Sequence, residues 1–183
     1  MTSQMAREVS EIPQAVARLL DRSAPAIADA AAALAARDPS LVLTVARGSS
    51  DHAATYLKYA VELLAGVPVA SVGPSVASVY RRPLRLGGAA CVGISQSGRS
   101  PDIVEMMRAA GAGGALTVAI TNFADSPMAT AATRVGRAID AVDPVAIGAA
   151  TTAPQAPLAS PFDRLGTHVV VGTSTAAAAV VGG

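Results

Sequence analysis

Short apolar runs alternate with segments of helical spacing along the first 140 residues. The runs cover residues Leu41–Ala46, 67–73, Ala89–Ile94 and 116–121, and a fifth stretch of mixed polarity covers 134–140. Continuous apolar runs of this length are typical of strands that are buried on both faces. The segments between them predict helices over 51–64, 101–110 and 127–132. This alternation predicts a doubly wound α/β fold with a mostly parallel five-stranded sheet flanked by helices.

The N-terminal 37 residues carry a helical pattern of their own. Residues 5–22 have apolar side chains near helical spacing, and the alanine-rich stretch 24–37 ends at Asp38 and Pro39. Proline inside a helix removes a hydrogen bond and clashes with the preceding turn. Pro13 is therefore predicted to kink or split the first helix, and 24–37 is predicted as a second one.

Two hydroxyl-rich turns follow predicted strands. Gly48, Ser49 and Ser50 come after the first strand, and the segment 95–100, of sequence Ser-Gln-Ser-Gly-Arg-Ser, comes after the third. In open parallel sheets, ligands bind beyond the carboxyl ends of the strands, where the strand order reverses. If both strands lie near that point, both turns face one crevice.

The chemistry of the second turn favours a phosphate. The first N–H groups of a helix lack internal partners and carry the positive end of the helix dipole. Ser95, Ser97 and Ser100 add hydroxyl donors, Gly98 permits a close backbone approach, and Pro101 suits the first helical position. The turn is therefore predicted to hold the phosphate of a small sugar. The alternative is that the serines only cap helices in ordinary polar loops.

Composition further restricts the classes of protein to which the chain can belong. The chain has 183 residues, 51% of them hydrophobic, and a formal net charge of +1, so no global basic field for nucleic acid is expected. Cys91 is the single cysteine, which excludes an intramolecular disulfide, and its apolar strand predicts an inert buried thiol. The first residues lack a secretory pattern, and no run has membrane-spanning quality. A cytoplasmic location without membrane contact, metal or cofactor is expected.

Several stretches together resemble the SIS (sugar isomerase) domain family. They cover residues 5–13, 47–53, 94–101, 119–122 and 125–128 in the family's order. More narrowly, the chain is similar to the first SIS half of the isomerase module of glutamine–fructose-6-phosphate aminotransferase, and to stand-alone glucosamine-6-phosphate deaminase-like relatives.

The resemblance implies a fold of this α/β type that binds a hexose or hexosamine 6-phosphate, without cofactor, as a homodimer. The residues implied in binding are Gly48, Ser49, Ser50, Ser95, Gln96, Ser97, Gly98 and Ser100, with Gln96 toward the sugar. Arg99 stands where the aminotransferases often have glutamate, which favours the deaminase-like relatives.

Two departures from the family pattern limit the activity that is expected. The family's Glu-x-x-Val-Ala-x-Thr-Lys-like segment is not found, and residues 141–183 carry only three charged side chains. We predict an SIS domain over residues 1–140 with a helical N-terminal arm, and an atypical tail from a reading-frame change or truncation. The family's acid and base residues belong to its second half. His52 follows the first turn and His168 lies in the tail, so no catalytic residue is assigned.

Three functions remain open at this point. In the first, the chain is part of an aminosugar-phosphate isomerase, deaminase or aminotransferase. Such an enzyme would transfer a proton between C1 and C2 of the sugar. The second is a non-catalytic sugar-phosphate sensor, although no basic recognition helix is present. The third is a nucleotide-binding domain, which would need a Gly-x-Gly-x-x-Gly turn, whereas residues 47–53 hold one glycine.

Overall fold

The computed structural model describes residues 4–132 and 134–135. Helices and strands alternate through them. In chain order they are α1 (Gln4–Arg37), β1 (Leu41–Ala46), α2 (Ser49–Ala65), β2 (Val69–Ser71), α3 (Ser75–Ser78), β3 (Ala89–Ile94), α4 (Pro101–Ala112), β4 (Leu116–Ile120), α5 (Pro127–Ala131) and β5 (Arg134–Val135).

The strands form one parallel sheet in the order β2-β1-β3-β4-β5. β1 and β3 lie side by side over their full length, from Leu41 opposite Ala89 to Ala46 opposite Ile94. The predicted doubly wound α/β fold with a parallel five-stranded sheet is therefore confirmed. The rest of the predicted fifth strand, the boundary at residue 140 and the tail 141–183 lie outside the described residues.

Helices cover both faces of the sheet, because alternate strand residues point to opposite sides. On β1, Val42 packs in a cluster with α2 residues and with the partly buried Leu34 of α1. Leu43 and Val45 belong to the opposite cluster, which contains α4 and α5 residues such as Met107 and Met128. All six residues of β3 are buried. This double cover explains why the central strands read as unbroken apolar runs.

The N-terminal prediction was wrong in one respect. α1 is a single helix that runs through Pro13 and Pro25, rather than two separate helices. A proline in a helix interior costs about 3 kcal/mol. The alanine-rich sequence offsets this cost through its high helix propensity, and Leu34 with its flanking alanines packs against the sheet. The helix ends at Arg37, as the sequence predicts.

Smaller differences concern element ends. α2 begins at Ser49, two residues before its predicted start, so both serines of the first turn belong to the helix. β2 covers only Val69–Ser71 of the predicted 67–73, because its ladder with β1 spans only those three residues. The segment after β2, for which the sequence predicts no definite structure, begins with α3.

Candidate functional site

The two hydroxyl-rich turns emerge next to each other from the middle of the sheet. Ala46 and Ile94, the last residues of β1 and β3, are register partners. β1 is followed by β2 on one side of this pair, and β3 is followed by β4 on the other. The strand order therefore reverses between β1 and β3, which is the position where open α/β sheets bind ligands.

An ion pair joins the two turns. Arg47, which follows β1, places Nη1 2.5 Å from Oδ2 of Asp102 in the first turn of α4, 55 residues further along the chain. The Arg47 side chain is 66% exposed and the Asp102 side chain 21% exposed. Ion pairs with this exposure contribute about 0–1 kcal/mol to stability. The pair connects the β1–α2 turn to the start of α4.

The second turn is organised by hydrogen bonds to its own serines. Ser95 is buried, its N–H donates to the Ile120 carbonyl at 3.0 Å, and its Oγ accepts from Gly98 N–H at 3.2 Å. The half-buried Ser97 accepts from Arg99 N–H at 3.3 Å. Both hydroxyls act as acceptors here, and among the described residues neither donates its proton to another group. Their O–H donors are therefore available to an anion.

Residues beyond β4 hold this turn from the other side. The Gln96 carbonyl accepts from Asn122 N–H at 3.0 Å and from Thr121 Oγ1 at 3.1 Å, while the Gln96 side chain is exposed. The Gly98 carbonyl accepts from Met128 N–H at 3.0 Å. Thr121, Asn122 and Arg47 are not among the site residues predicted from the sequence. The sequence feature that could have indicated them is their position directly after apolar strands, since the carboxyl ends of parallel strands lie at one edge of the sheet.

Gly98 is needed for steric as well as conformational reasons. Its φ is +60°, in the left-handed region that favours glycine, and the residue is buried. A Cβ built at this position would overlap the side chains of Ser126 and Thr121. The close approach of these three residues fixes the path of the turn.

The structure does not support capping as the role of the serines at the starts of α2 and α4. Ser100 is the N-cap residue of α4, yet its side chain makes no capping hydrogen bond. The N-cap of α2 is Gly48, which is exposed and has no side chain to cap with, and Ser49 and Ser50 are already helical. By contrast, Ser126 caps α5, because its Oγ accepts from Ala129 N–H at 3.3 Å.

The hydroxyl of Ser50 is buried without a hydrogen-bond partner in the described part of the chain. It is only 6% exposed, and no described residue hydrogen-bonds to its hydroxyl. A buried hydroxyl without a partner costs free energy, so a ligand that accepts from it gains that energy back. Ser49 beside it is exposed.

The other polar groups at this edge are exposed. Arg99 lies 5.8 Å above the centre of the Phe123 ring, and His52 lies on the surface of α2.

Within residues 4–132 and 134–135, no group of three or more metal-ligating side chains comes together. None of the helices described here is long and apolar enough to cross a bilayer. Cys91 is buried in β3, away from these turns, and desolvation raises its pKa to about 12.

Comparison with known protein families and solved structures identifies relatives of the chain. A model of the SIS domain family matches residues 37–160. Comparison with curated protein sequences gave no match. The structure of a candidate phosphosugar isomerase from Silicibacter pomeroyi DSS-3 is 60% identical, with a TM-score of 0.72 over 73% of this chain and 41% of that chain.

Two further solved structures resemble the chain. The C-terminal domain of glucosamine-fructose-6-phosphate aminotransferase from Francisella tularensis is 25% identical, with a TM-score of 0.63 over 79% of this chain and 41% of that chain. The NanR protein of Vibrio vulnificus, complexed with ManNAc-6P, is 20% identical, with a TM-score of 0.55 over 73% and 49%, and shares the fold.

The chain therefore spans less than half the length of the three solved relatives described above. The family match covers more than half of the chain and includes both hydroxyl-rich turns. On this evidence the chain belongs to the SIS domain family.

Proposed function

We propose that the two hydroxyl-rich turns bind the phosphate of a hexose or hexosamine 6-phosphate. The names of the relatives support this class of ligand, since they include a candidate phosphosugar isomerase, an aminotransferase of fructose 6-phosphate, and a protein complexed with ManNAc-6P. In this chain the proposed binding residues are Gly48, Ser49, Ser50, Ser95, Gln96, Ser97, Gly98 and Ser100.

The observation that carries the proposal is the Ser100 hydroxyl, which sits at the start of α4 without capping it. Pro101 has no N–H, and Val104 N–H bonds to the Ser100 carbonyl, so the N–H groups of Asp102 and Ile103 remain at the helix end. These groups and the hydroxyls of Ser95 and Ser97 form an array of donors. A phosphate dianion is the guest that such an array favours.

The proposed reaction context is aminosugar-phosphate metabolism, with the chain as part of an isomerase, deaminase or aminotransferase. That chemistry moves a proton between C1 and C2 through an enediol or enolamine and needs a base near the sugar. His52, the one histidine among the described residues, is exposed, and we assign it no catalytic role. The chain's proposed part is to bind and orient the sugar through its phosphate.

Ser100→Ala tests the binding proposal. A hydrogen bond to a charged partner contributes about 1.5–3 kcal/mol, so we expect affinity for glucosamine 6-phosphate and fructose 6-phosphate to fall at least about tenfold in calorimetric titration. Because Ser100 makes no capping bond, the free energy of unfolding should change by less than about 0.5 kcal/mol.

The matched control is Ser40→Ala, since Ser40 is exposed just before β1, at the opposite edge of the sheet. It should leave affinity unchanged. If Ser100→Ala loses stability by about 1 kcal/mol and keeps its affinity, the serine is a cap and the proposal fails.

A sensor without catalysis is the second candidate function. The NanR complex supports it, because that protein holds a sugar phosphate on the same fold. An ammonia-release assay with glucosamine 6-phosphate separates the two candidates. Tight binding without ammonia favours the sensor or a non-catalytic half, whereas turnover favours the enzyme.

We also propose that the chain forms a homodimer in the cytoplasm. Tyr59 and Leu63 lie one turn apart on α2 and are 60% and 80% exposed. Large apolar side chains that share one face favour association. Sedimentation equilibrium should give twice the chain mass, and Leu63→Lys should shift the species toward monomer. A monomer at all concentrations contradicts the dimer, and cell fractionation tests the location.

A further inference from the structure

A groove with a volume of about 650 Å³ lies between α3, the segment that follows it, and α4 from Glu105 onward. Its lining residues are Ala77, Ser78, Arg81, Arg82, Pro83, Leu84, Glu105, Arg108, Ala109, Ala112 and Gly113. At 1.5 Å of rise per residue, Glu105, the lining residue of α4 nearest to Ser100, lies about 7.5 Å along the helix from it, and no residue of the two turns lines the groove. The groove is therefore separate from the hydroxyl-rich turns.

The walls of this groove are fastened to each other. Leu86 N–H donates to the Gly113 carbonyl at 2.8 Å, and a Cβ on Gly113 would overlap the Leu84 carbonyl oxygen. On the α3 side, Arg81 N–H donates to the Ala77 carbonyl at 3.2 Å. The backbone of the segment after α3 is thus attached to the end of α4, and exposed side chains, among them Arg81, Arg82 and Arg108, complete the lining.

Arg81 adopts an unusual backbone conformation at the rim. Its φ is +47°, in the left-handed region that residues with a Cβ adopt only rarely. Its N–H bond to Ala77 and that of Arg82 to the Val76 carbonyl at 3.1 Å hold this turn in place. Such conformations cluster at binding sites, where the surrounding structure maintains them.

The charge of the groove is strongly positive for its size. Three arginines and one glutamate line it, which gives 3 − 1 = +2. Glu105 pairs with Arg108, with Oε1 and Nη1 2.7 Å apart. Arg81 and Arg82 make no ion pair among the described residues, so two guanidinium groups remain for a ligand.

We propose that this groove binds a compact organic dianion, that is, a small molecule with two phosphate or carboxylate groups on an apolar body. Guanidinium groups bind such oxygens through paired hydrogen bonds. Two arginines without an ion-pair partner among the described residues match two anionic groups, and the apolar lining residues Ala77, Leu84 and Ala109 offer contacts to the body of the ligand. The volume lies within the range of about 300–1,000 Å³ found for small-molecule sites.

Calorimetric titration of the full chain with phthalate, in buffer of physiological ionic strength, tests the proposal. We expect saturable binding that weakens at least tenfold in Arg82→Gln and further in the double variant with Arg81→Gln. Arg85→Gln is the matched control, because Arg85 is exposed on the same segment but does not line the groove. It should change the dissociation constant by less than twofold, and Ser100→Ala should leave it unchanged.

Three results would overturn the proposal. The first is that the wild-type protein shows no saturable phthalate binding. The second is that Arg85→Gln weakens binding as much as Arg82→Gln does, which indicates nonspecific charge attraction. The third is that Ser100→Ala loses phthalate binding while Arg82→Gln keeps it. The last would place the dianion at the hydroxyl-rich turns instead. Failure of sugar-phosphate binding in the Ser100 experiment would leave this proposal standing, since the two sites share no residues. Circular dichroism of each variant confirms that it is folded.

Discussion

At the scale of single residues, Gly98 bears the tightest constraint at the candidate site. Its φ of +60° costs an alanine about 1–2 kcal/mol, and the overlap with Ser126 and Thr121 adds an overpacking cost of about 1–3 kcal/mol. We therefore expect Gly98→Ala to lower the free energy of unfolding by about 2–5 kcal/mol. Chemical denaturation with a circular dichroism readout measures this change.

Gly66 provides the control for the Gly98 experiment. It has a similar φ of +68°, but a Cβ there meets nothing within 4 Å. Gly66→Ala should thus cost only the conformational part, about 1–2 kcal/mol. Equal losses in the two variants would show that Ser126 and Thr121 yield easily and that the turn is not sterically fixed.

Cys91 makes stability depend on pH in the alkaline range. Burial raises the pKa of its thiol from 9.0 to about 12, so the unfolded chain releases this proton first as pH rises. The stabilisation is complete below pH 9 and is lost progressively between pH 9 and 12, by about 1.4 kcal/mol at pH 10. Unfolding titrations from pH 8 to 11 measure the slope.

Cys91→Ala separates this effect from other alkaline titrations. The variant should have a shallower fall in unfolding free energy over the same range, whatever its stability at pH 8. Thiol reagents should modify native wild-type protein far more slowly than unfolded protein, because the thiolate is the reactive form. Identical pH slopes in the two proteins would exclude Cys91 as the source.

At the scale of elements, the outer edge of β2 is protected by side chains of α2. Glu62 Oε1 accepts from Val69 N–H at 3.2 Å, and Lys58 Nζ donates to the Val69 carbonyl at 3.0 Å. The two side chains also pair with each other at 3.4 Å. Unpaired groups on an edge strand invite pairing with another chain, and these contacts block it.

Glu62→Ala should therefore have two effects. It should lower the free energy of unfolding by about 1 kcal/mol, because the Val69 N–H loses its acceptor, and it should raise light scattering on mild heating. Arg108→Ala is the control, since it breaks an exposed ion pair that touches no strand and should cost less than about 0.5 kcal/mol. Equal effects would show that the edge contact contributes nothing special.

The sequence predicted best the strands that are buried on both faces. β1 and β3 begin and end where the apolar runs do, because polar residues flank the run of β1, and a glycine pair and a serine flank that of β3. The end of α1 at Arg37 was predictable from Asp38 and Pro39, but its continuity was not. Local sequence showed the cost of Pro13 and Pro25 without showing the packing that offsets it.

At the scale of the whole molecule, the sequence located the hydroxyl-rich turns but not the contacts that bring them together. That β1 and β3 are neighbours is a fact of topology, and the Arg47–Asp102 pair spans 55 residues. The groove beside α4 could not be predicted either, because no local pattern in residues 81–84 shows that they lie against α4. Pairing across long separations depends on the folded chain and leaves no local pattern.

The way Gln96 is held has a consequence for how this domain can change. Its main chain is anchored by Thr121 and Asn122, whereas its side chain extends into solvent. Arg99 is likewise exposed, two residues from the Ser97 hydroxyl. Replacements at these two positions should therefore leave folding intact. If the turn binds a sugar phosphate as proposed, such replacements would alter which sugar is preferred without any redesign of the scaffold.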